Sequence, residues 1–317
     1  MRNLHIRWWA VGAAVAIAIT LTLKGPYAVS VINQLAISAL IAASLRFGML
    51  IGEVSFATSS FVGLGAYGAG IATTLLGWPF PLAMLVGPAA VIVISILFGL
   101  ITLRVKGPYF MLIGFAFVEV VRITLGKISV IGGVAGMGNI FPPRFLDSWM
   151  STVVMAVVIV LLLGLYLIEK SDFGKVLVAI RDNEDIAKTV GLRVLSLKIT
   201  CFAIASFCAG VAGSLHGFVN NVISPDDFGF LVTVFALAFV KVGGESSIFG
   251  AILGAVVLVL INSVALGFGA AEQYVYGGAI VLAMLLMPQG LIGLPWRKLR
   301  SRRGNKRAAH VSKSVAR

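Results

Sequence analysis

The sequence predicts an all-α membrane protein, a polytopic bundle of about ten transmembrane helices with about eight as the lower limit. Three observations carry this prediction. Only 12% of the 317 residues are charged, whereas soluble domains carry about 25%. The mean hydropathy is +1.04, and several apolar stretches reach the roughly 20 residues that a helix needs to cross a bilayer. Because unpaired backbone groups are excluded from lipid, these stretches are predicted to be helices.

Hydropathy divides the chain into a series of predicted spans. They are residues 8–23, 28–45, 54–76, 82–103, 109–125, 150–168, 199–219, 230–240, 248–266 and 274–287. Segment 54–76 is rich in Gly, Ser and Thr, and segment 230–240 is short, so each is a candidate for a broken or re-entrant element. The small-residue pairs Gly213/Gly217 and Gly250/Gly254 predict close contacts between helices.

The first apolar segment has two readings. It follows Arg2 and Arg7, which is also the pattern of a cleaved signal peptide. No small-residue cleavage site comes after it, only Lys24-Gly25-Pro26. We therefore expect a retained first span.

Positive charge is concentrated on one predicted side of the membrane. Nine of the 25 Lys and Arg residues lie in the tail 297–317, and Arg46, Lys106 and the loop 169–198 fall on the same side. Because cytoplasmic flanks accumulate Lys and Arg, both termini are predicted to be cytoplasmic. We expect a membrane domain at 1–296 and a basic, disordered tail at 297–317. The tail has no recognition motif or aromatic platform, so no nucleic-acid partner is expected.

The histidines and cysteines predict neither a metal site nor a disulfide. Cys201 and Cys208 lie about 10.5 Å apart along one predicted helix, too far for a disulfide. His5, His216 and His310 have no ligand-like spacing, and His216 is expected to be a packing residue. No nucleophile stands beside a base, so no catalytic site is expected.

The loop 169–198 is the longest predicted cytoplasmic connection, with six basic and five acidic side chains. Phe173, Val176, Leu177 and Ile180 follow the i, i+3, i+4, i+7 spacing of one helix face. An apolar stripe on a charged loop indicates a docking element for a cytoplasmic partner. A solvated hairpin and a membrane-surface helix remain alternatives.

A second short helix is predicted directly after the first. Asn183 is its expected N-cap, and Glu184 and Asp185 fall in the first turn, where the helix dipole favours negative charge. Gly191 is the expected C-terminal stop. The loop is therefore predicted to be two short capped helices.

This loop resembles the ATPase-coupling loop of branched-chain amino acid ABC importers, in the LivM-type permease family. In such permeases a pattern E-A-A-x-x-x-G inserts into a groove of the ATP-binding subunit, and the segment 185–191 matches it loosely, with Asp for Glu and Ile for the first Ala. The residues that the resemblance assigns to coupling are Ile180, Arg181, Asp182, Asn183, Glu184, Asp185, Ala187 and Gly191.

Further motifs extend the resemblance over most of the chain. Segments 107–122, 132–136 and 243–250 are similar to the family's G-P-Y-F…A-F-x-E-x-x-R span and its glycine-rich loops. The sequence departs from the family at Glu53, where the family usually has Gln, and at Ala135, where it usually has Asp. Both departures bear on the identity of the solute.

The resemblance implies the partners and the reaction. It implies a transmembrane permease domain in the bacterial inner membrane, surrounded by membrane lipid, that pairs with a second permease subunit. Its other implied partners are two cytoplasmic ATP-binding subunits and an extracytoplasmic solute-binding protein. The chain lacks G-x-x-x-x-G-K-[ST], so ATP is expected on the partner subunits and no cofactor on this chain. The implied solute is a branched-chain or other hydrophobic amino acid, with urea, short amides and other small organic solutes as alternatives.

Candidate pathway residues follow from polar groups in apolar spans and from the family motifs. They are Glu53, Ser55, Tyr109, Glu119, Arg122, Gly132, Gly133 and Glu245. Glu119 and Arg122 are expected either to line a pathway or to form a structural ion pair. Glu53 and Glu245 are expected either at its inner mouth or as helix caps. In an ion-coupled secondary transporter the three glutamates would be the coupling groups, and an integral-membrane enzyme is the remaining alternative.

Overall fold

The computed structural model describes residue 20 and residues 25–147, 149–286 and 290–293. The predicted first span, apart from residue 20, and the basic tail lie outside the described residues. The helices, numbered in chain order, are α1 Pro26–Gly48, α2 Thr58–Thr74, α3 Phe80–Thr102, α4 Pro108–Lys127, α5 Arg144–Asp147, α6 Met150–Lys170, α7 Asp172–Asp182, α8 Glu184–Thr189, α9 Val194–Asn220, α10 Phe230–Gly243, α11 Ile248–Ala265, α12 Glu272–Leu286 and α13 Gly290–Gly293.

The described residues are all-helical in architecture, without a named strand. Short 3₁₀ turns lie at Met49–Ile51, Ser129–Ile131, Gly133–Ala135, Pro225–Phe228 and Leu266–Ala271. An isolated antiparallel bridge joins Met137 to Ile223 and ties the loop after α4 to the segment after α9. The predicted all-α class is confirmed over the described part of the chain.

The predicted number of spans is not confirmed. Seven helical segments among the described residues are long and apolar enough to cross a membrane. Helix α2 has 17 residues and α10 has 14, about 25 Å and 21 Å at 1.5 Å per residue, against a hydrocarbon core of about 30 Å. Both are uninterrupted helices. Irregular backbone at 52–57 precedes α2, and the segment 221–229, which contains the 3₁₀ turn Pro225–Phe228, precedes α10.

The centre of the bundle is built from α1, α2, α3 and α9, which form one buried core with α6 against α1. A second buried cluster joins α1 to α10 and α11. Helices α7 and α8 lie at the end of the bundle where α1 and α6 end, together with Arg46 and Lys106. We call this end the basic side, and the end with the α2–α3 turn the opposite side.

Glycines bring α2, α3 and α9 into backbone contact. A Cβ on Gly65 would lie 2.1 Å from the carbonyl oxygen of Gly210, and one on Gly213 would lie 1.8 Å from that of Val62. Gly254 stands equally close to Phe239 across the α10–α11 contact. The close contacts predicted at Gly213 and Gly254 are confirmed, because in lipid small residues let helix backbones approach.

Candidate functional site: a helical platform and a polar cavity

Helices α7 and α8 form a platform on the basic side. The apolar stripe of α7 faces the rest of the chain, since Leu177 and Ile180 are almost fully buried and Phe173 and Val176 are partly buried. Leu177 belongs to the main core, and Ile180 packs with Ala187 and Val194. The stripe is therefore covered by the protein's own helices, and the docking role of the loop stays a prediction for its other faces.

The predicted caps of α8 are confirmed. The Asn183 side chain accepts hydrogen bonds from the backbone N–H groups of Asp185 and Ile186, both at 3.1 Å. At the other end Gly191 adopts φ +86°, and Leu192 donates from its backbone N–H to the Ala187 carbonyl. This is the Schellman geometry, which needs a residue tolerant of positive φ at the position of Gly191.

Glu184 ties the platform to the bundle. Its carboxylate contacts the ammonium groups of Lys106 at 2.7 Å, Lys198 at 2.9 Å and Lys188 at 3.0 Å. Burial raises the pKa of this carboxyl, but hydrogen bonds from the three lysines outweigh burial and lower the pKa to about 2. One carboxylate thus joins α8 to the start of α9 and to the α3–α4 connection.

Neutralising Glu184 is expected to loosen the platform. Glu184→Gln leaves the Lys198 ammonium, only 4% exposed, without its counter-ion. We expect amide hydrogen exchange in 183–191 to rise about tenfold at pH 7, since hydrogen bonds to charged groups contribute about 1.5–3 kcal/mol. Asp185→Asn is the control, because its carboxylate is 89% exposed, and it should change exchange little. Equal exchange in both variants would contradict the role of the Glu184 carboxylate in holding the platform to the bundle.

The contacts of Glu184 with the three lysines also predict that the stability of the platform depends on pH. The folded-state pKa of Glu184 lies below the ordinary value of 4.5. Its stabilisation is therefore complete above pH 4.5 and is lost as the pH falls through 4.5 towards 2. Exchange in 183–191, corrected for the intrinsic rate, should rise across that window in the wild type and stay flat in Glu184→Gln.

The exposed tip of the platform is apolar. Ile186 is 61% exposed and Val190 is 75% exposed, and they are four residues apart at the C-terminal end of α8. Arg181 and Asp182, at the end of α7, are also exposed, and their side chains are paired at 3.3 Å. The part of the loop that is free to contact another molecule is therefore α8 and its flanks.

Arg46 holds the adjoining region together. Its guanidinium pairs with both carboxylate oxygens of Glu169, and its Nε donates to the backbone carbonyl of Glu245 at 3.1 Å. The side chains of Arg46 and Glu169 are 4% and 13% exposed. This buried pair connects the ends of α1 and α6 to the α10–α11 turn.

The other basic-side candidates have local partners. The Glu53 carboxylate accepts from the backbone N–H of Gly107, the residue before α4, at 3.0 Å, and Glu53 and Ser55 line a narrow cavity of about 10 Å³. The Glu245 carboxylate pairs with Lys241 at 2.6 Å. It does not cap α11, because the Ser247 side chain does so. Tyr109 is 72% exposed on α4 and lies outside that cavity.

The remaining candidates lie on the opposite side. Arg122 is held between Glu119 at 2.8 Å and Asp226 at 2.7 Å, so the ion pair is present. The same three side chains line a cavity of about 510 Å³, so their role in a pathway stays a prediction. Gly132 and Gly133 have positive φ in the turn after α4, and a Cβ on Gly132 would lie 1.7 Å from the Gly136 carbonyl oxygen. The structure therefore does not bring the predicted pathway residues into one site.

A cavity of about 550 Å³ with both polar and apolar lining lies on the opposite side and was not predicted from the sequence. It lies among α1, α9, α10, α11 and α12. Its polar lining residues are Ser30, Gln34, Ser38, His216, Asn220, Asp227, Asn262, Glu272 and Tyr276. Ser30, Gln34 and Ser38 are four residues apart on one face of an apolar span, a spacing that was readable in the sequence.

A bundle of membrane-length helices around a polar cavity is the architecture of a multi-pass membrane transport protein. The model of the family described as "Branched-chain amino acid transport system / permease component" matches residues 27–288, and the chain belongs to this family. It is accordingly a multi-pass protein of the inner membrane, as its bacterial relatives and apolar helices indicate.

Several curated proteins are similar to this chain. The high-affinity branched-chain amino acid transport system permease protein LivM of Salmonella typhimurium is 30% identical over 76% of this chain and 64% of its own length. BraD of Pseudomonas aeruginosa, with a corresponding description, is 29% identical over 78% of this chain and 88% of its own length. A probable LivH of Methanocaldococcus jannaschii is 33% identical over 45% of this chain and 48% of its own length. The chain spans slightly less than two thirds of the LivM relative.

Proposed function

We propose that this chain is the membrane-spanning permease subunit of an ABC importer that carries a branched-chain or other hydrophobic amino acid across the cytoplasmic membrane. The relatives that cover most of the chain are described as permeases of high-affinity branched-chain amino acid systems. Permeases for urea, short amides or other small organic solutes remain the alternative within the family.

In the proposed assembly this chain has four kinds of partner. A second permease subunit pairs with this chain, in keeping with its similarity to both LivM and LivH. Two cytoplasmic subunits bind and hydrolyse ATP, an extracytoplasmic protein delivers the solute, and membrane lipid covers the outer helix faces. ATP is the partners' ligand, and this chain carries no cofactor and no catalytic residue of its own.

The observation that carries the proposal is the platform of α7 and α8. It projects an apolar tip at Ile186 and Val190 while its inner face is fixed by core packing and by Glu184. A rigid base with an exposed apolar tip transmits the movement of a bound partner into the bundle. The proposed coupling residues are Ile180, Arg181, Asp182, Asn183, Glu184, Asp185, Ala187 and Gly191.

We propose that the basic side of the bundle faces the cytoplasm. Arg46, Arg104, Lys106 and the platform lie at that end, and the positive-inside rule makes it cytoplasmic. Both termini are proposed to be on the same side. The ATP-binding subunits therefore meet the platform, and the 550 Å³ cavity opens towards the solute-binding protein.

Introducing charge at the exposed tip is expected to detach the ATPase. Val190→Asp places a carboxylate in the proposed contact, and we expect co-purification of the ATP-binding subunits in mild detergent to fall at least about tenfold, since buried unpaired charge costs several kcal/mol. ATP-driven leucine uptake by reconstituted proteoliposomes should fall in parallel.

Val134→Asp is the matched control. Val134 is also 75% exposed but lies on the opposite side. It should retain the ATP-binding subunits whatever it does to delivery of the solute. Wild-type co-purification of the ATPase with Val190→Asp, or uptake by this chain alone on an ion gradient without ATP, would contradict the proposal.

A further inference from the structure

The cavity of about 550 Å³ on the opposite side is large enough for a small solute, since such sites are typically about 300–1,000 Å³. Ser30, Gln34 and Ser38 descend one face of α1 to about 6, 12 and 18 Å from its start at Pro26. Ile41, Val62 and Phe239 line the cavity too, and they supply apolar wall deep in the bundle. The cavity is therefore amphipathic.

Several of its polar side chains have no partner within the described chain. Gln34, Ser38, Asn262 and Glu272 form no side-chain hydrogen bond or ion pair with any described residue. Polar groups within membrane-length helices are costly when they face lipid and are found facing water or a ligand. These side chains are thus available to a solute.

The charge of the lining has one sign. Asp227 and Glu272 are carboxylates, and no Lys or Arg lines the cavity in the part of the chain that the structure describes. One Asp227 oxygen accepts from the backbone N–H of Ser224 at 2.8 Å, and the second oxygen has no described partner. Arg122 lies outside this lining, in a neighbouring cavity of about 510 Å³ that shares Asp227, and its guanidinium is held there by Glu119 and Asp226.

We propose that this cavity is the site at which the permease receives its solute, with Asp227 and Glu272 binding a primary ammonium group and the apolar wall binding a hydrocarbon side chain. The inference rests on the proposed function and narrows its solute to one that carries an ammonium group. Urea and short amides lack that group, so the cavity disfavours them. Gln34 and Asn262 supply amide N–H donors that suit the carboxylate of an amino acid.

Cysteine labelling of the assembled transporter tests this directly. The two native cysteines, Cys201 and Cys208, are buried, so a cysteine introduced at Ser38 is the accessible thiol of this chain, and labelling is measured on this chain after the subunits are separated. We expect Ser38→Cys to react at least about tenfold faster with a trimethylammonium-bearing thiosulfonate than with a sulfonate-bearing one, because carboxylate-lined clefts concentrate cations. Val134→Cys, exposed on the same side, is the control and should show little preference.

Two further measurements complete the test. The double variant Glu272→Gln with Asp227→Asn should abolish the preference for the cationic reagent. Asp172→Asn should not, because the Asp172 carboxylate is exposed on the basic side. Leucine should slow labelling of Ser38→Cys several-fold, and 4-methylpentanoate, which lacks the amine, should not. Asp227→Asn keeps a side-chain oxygen for the Ser224 N–H, so the local turn is retained.

The outcomes separate this inference from the proposed function. Equal rates with both reagents, equal protection by the two solutes, or labelling only after removal of the second permease would each overturn the inference. ATP-driven leucine uptake by the wild type would leave the proposed function intact in all three cases. Absence of any ATPase partner would overturn the proposed function instead.

Discussion

Arg46→Met is expected to lower the free energy of unfolding by about 3–5 kcal/mol, the usual cost of leaving one member of a buried ion pair uncompensated. The Glu169 side chain is only 13% exposed in the wild type, and without Arg46 its carboxylate loses its guanidinium partner. The Glu245 carbonyl loses a donor at the same time. Unfolding of the purified subunit by titration with sodium dodecyl sulfate in mixed micelles measures the change.

Two variants serve as controls for the Arg46 prediction. Arg46→Met combined with Glu169→Leu removes both charges and should recover a large part of the lost stability. Lys175→Met breaks the pair with Asp172, in which the side chains are 72% and 94% exposed, and should have no measurable effect. Wild-type stability of Arg46→Met alone would show that the pair is not needed for the fold.

Gly213→Ala is expected to disrupt the contact between α2 and α9. The new methyl group would lie 1.8 Å from the Val62 carbonyl oxygen and 3.0 Å from the Ala66 nitrogen, both backbone atoms. Because backbone cannot move aside as a side chain does, the helices must separate. We expect a loss of about 3 kcal/mol or more, at the upper end of overpacking effects, measured by the same titration and by the amount of protein in membranes.

Gly164→Ala is the matched control in another membrane helix. A Cβ on Gly164 would meet no atom within 4 Å. In a helix interior, alanine is more stabilising than glycine by about 0.5–1 kcal/mol. This variant should be neutral or slightly stabilised. Val62→Ala should not rescue Gly213→Ala, since the clash is with backbone. Rescue by that truncation would place the clash on the side chain instead.

Local features of the platform were predictable from the sequence. The N-cap at Asn183 and the stop at Gly191 depend on hydrogen bonds between residues two to five apart. Such signals need no knowledge of the rest of the fold. The periodicity of α7 also identified an apolar face correctly, but periodicity does not say which surface covers it. Leu177 and Ile180 are covered by the protein itself.

The candidate pathway shows the opposite case. Glu119 and Arg122 were recognisable as a pair because they are three residues apart on a helix, whereas Asp226, 104 residues from Arg122, was not. The polar row Ser30, Gln34 and Ser38 was readable at helical spacing, yet the sequence did not show what it faces. Its neighbours across the cavity come from α9, α11 and α12.

The sequence by itself determined the all-helical membrane class, the charged platform with its caps, and the family motifs. These depend on composition and on spacings within one or two helical turns. Tertiary structure alone decided that Glu184 gathers three lysines, that Arg46 meets Glu169, and that Asp227 and Glu272 share a cavity. Arg46 and Glu169 are 123 residues apart in the chain. In a membrane bundle such partners meet only when whole helices pack closely against one another, and no local sequence pattern encodes that packing.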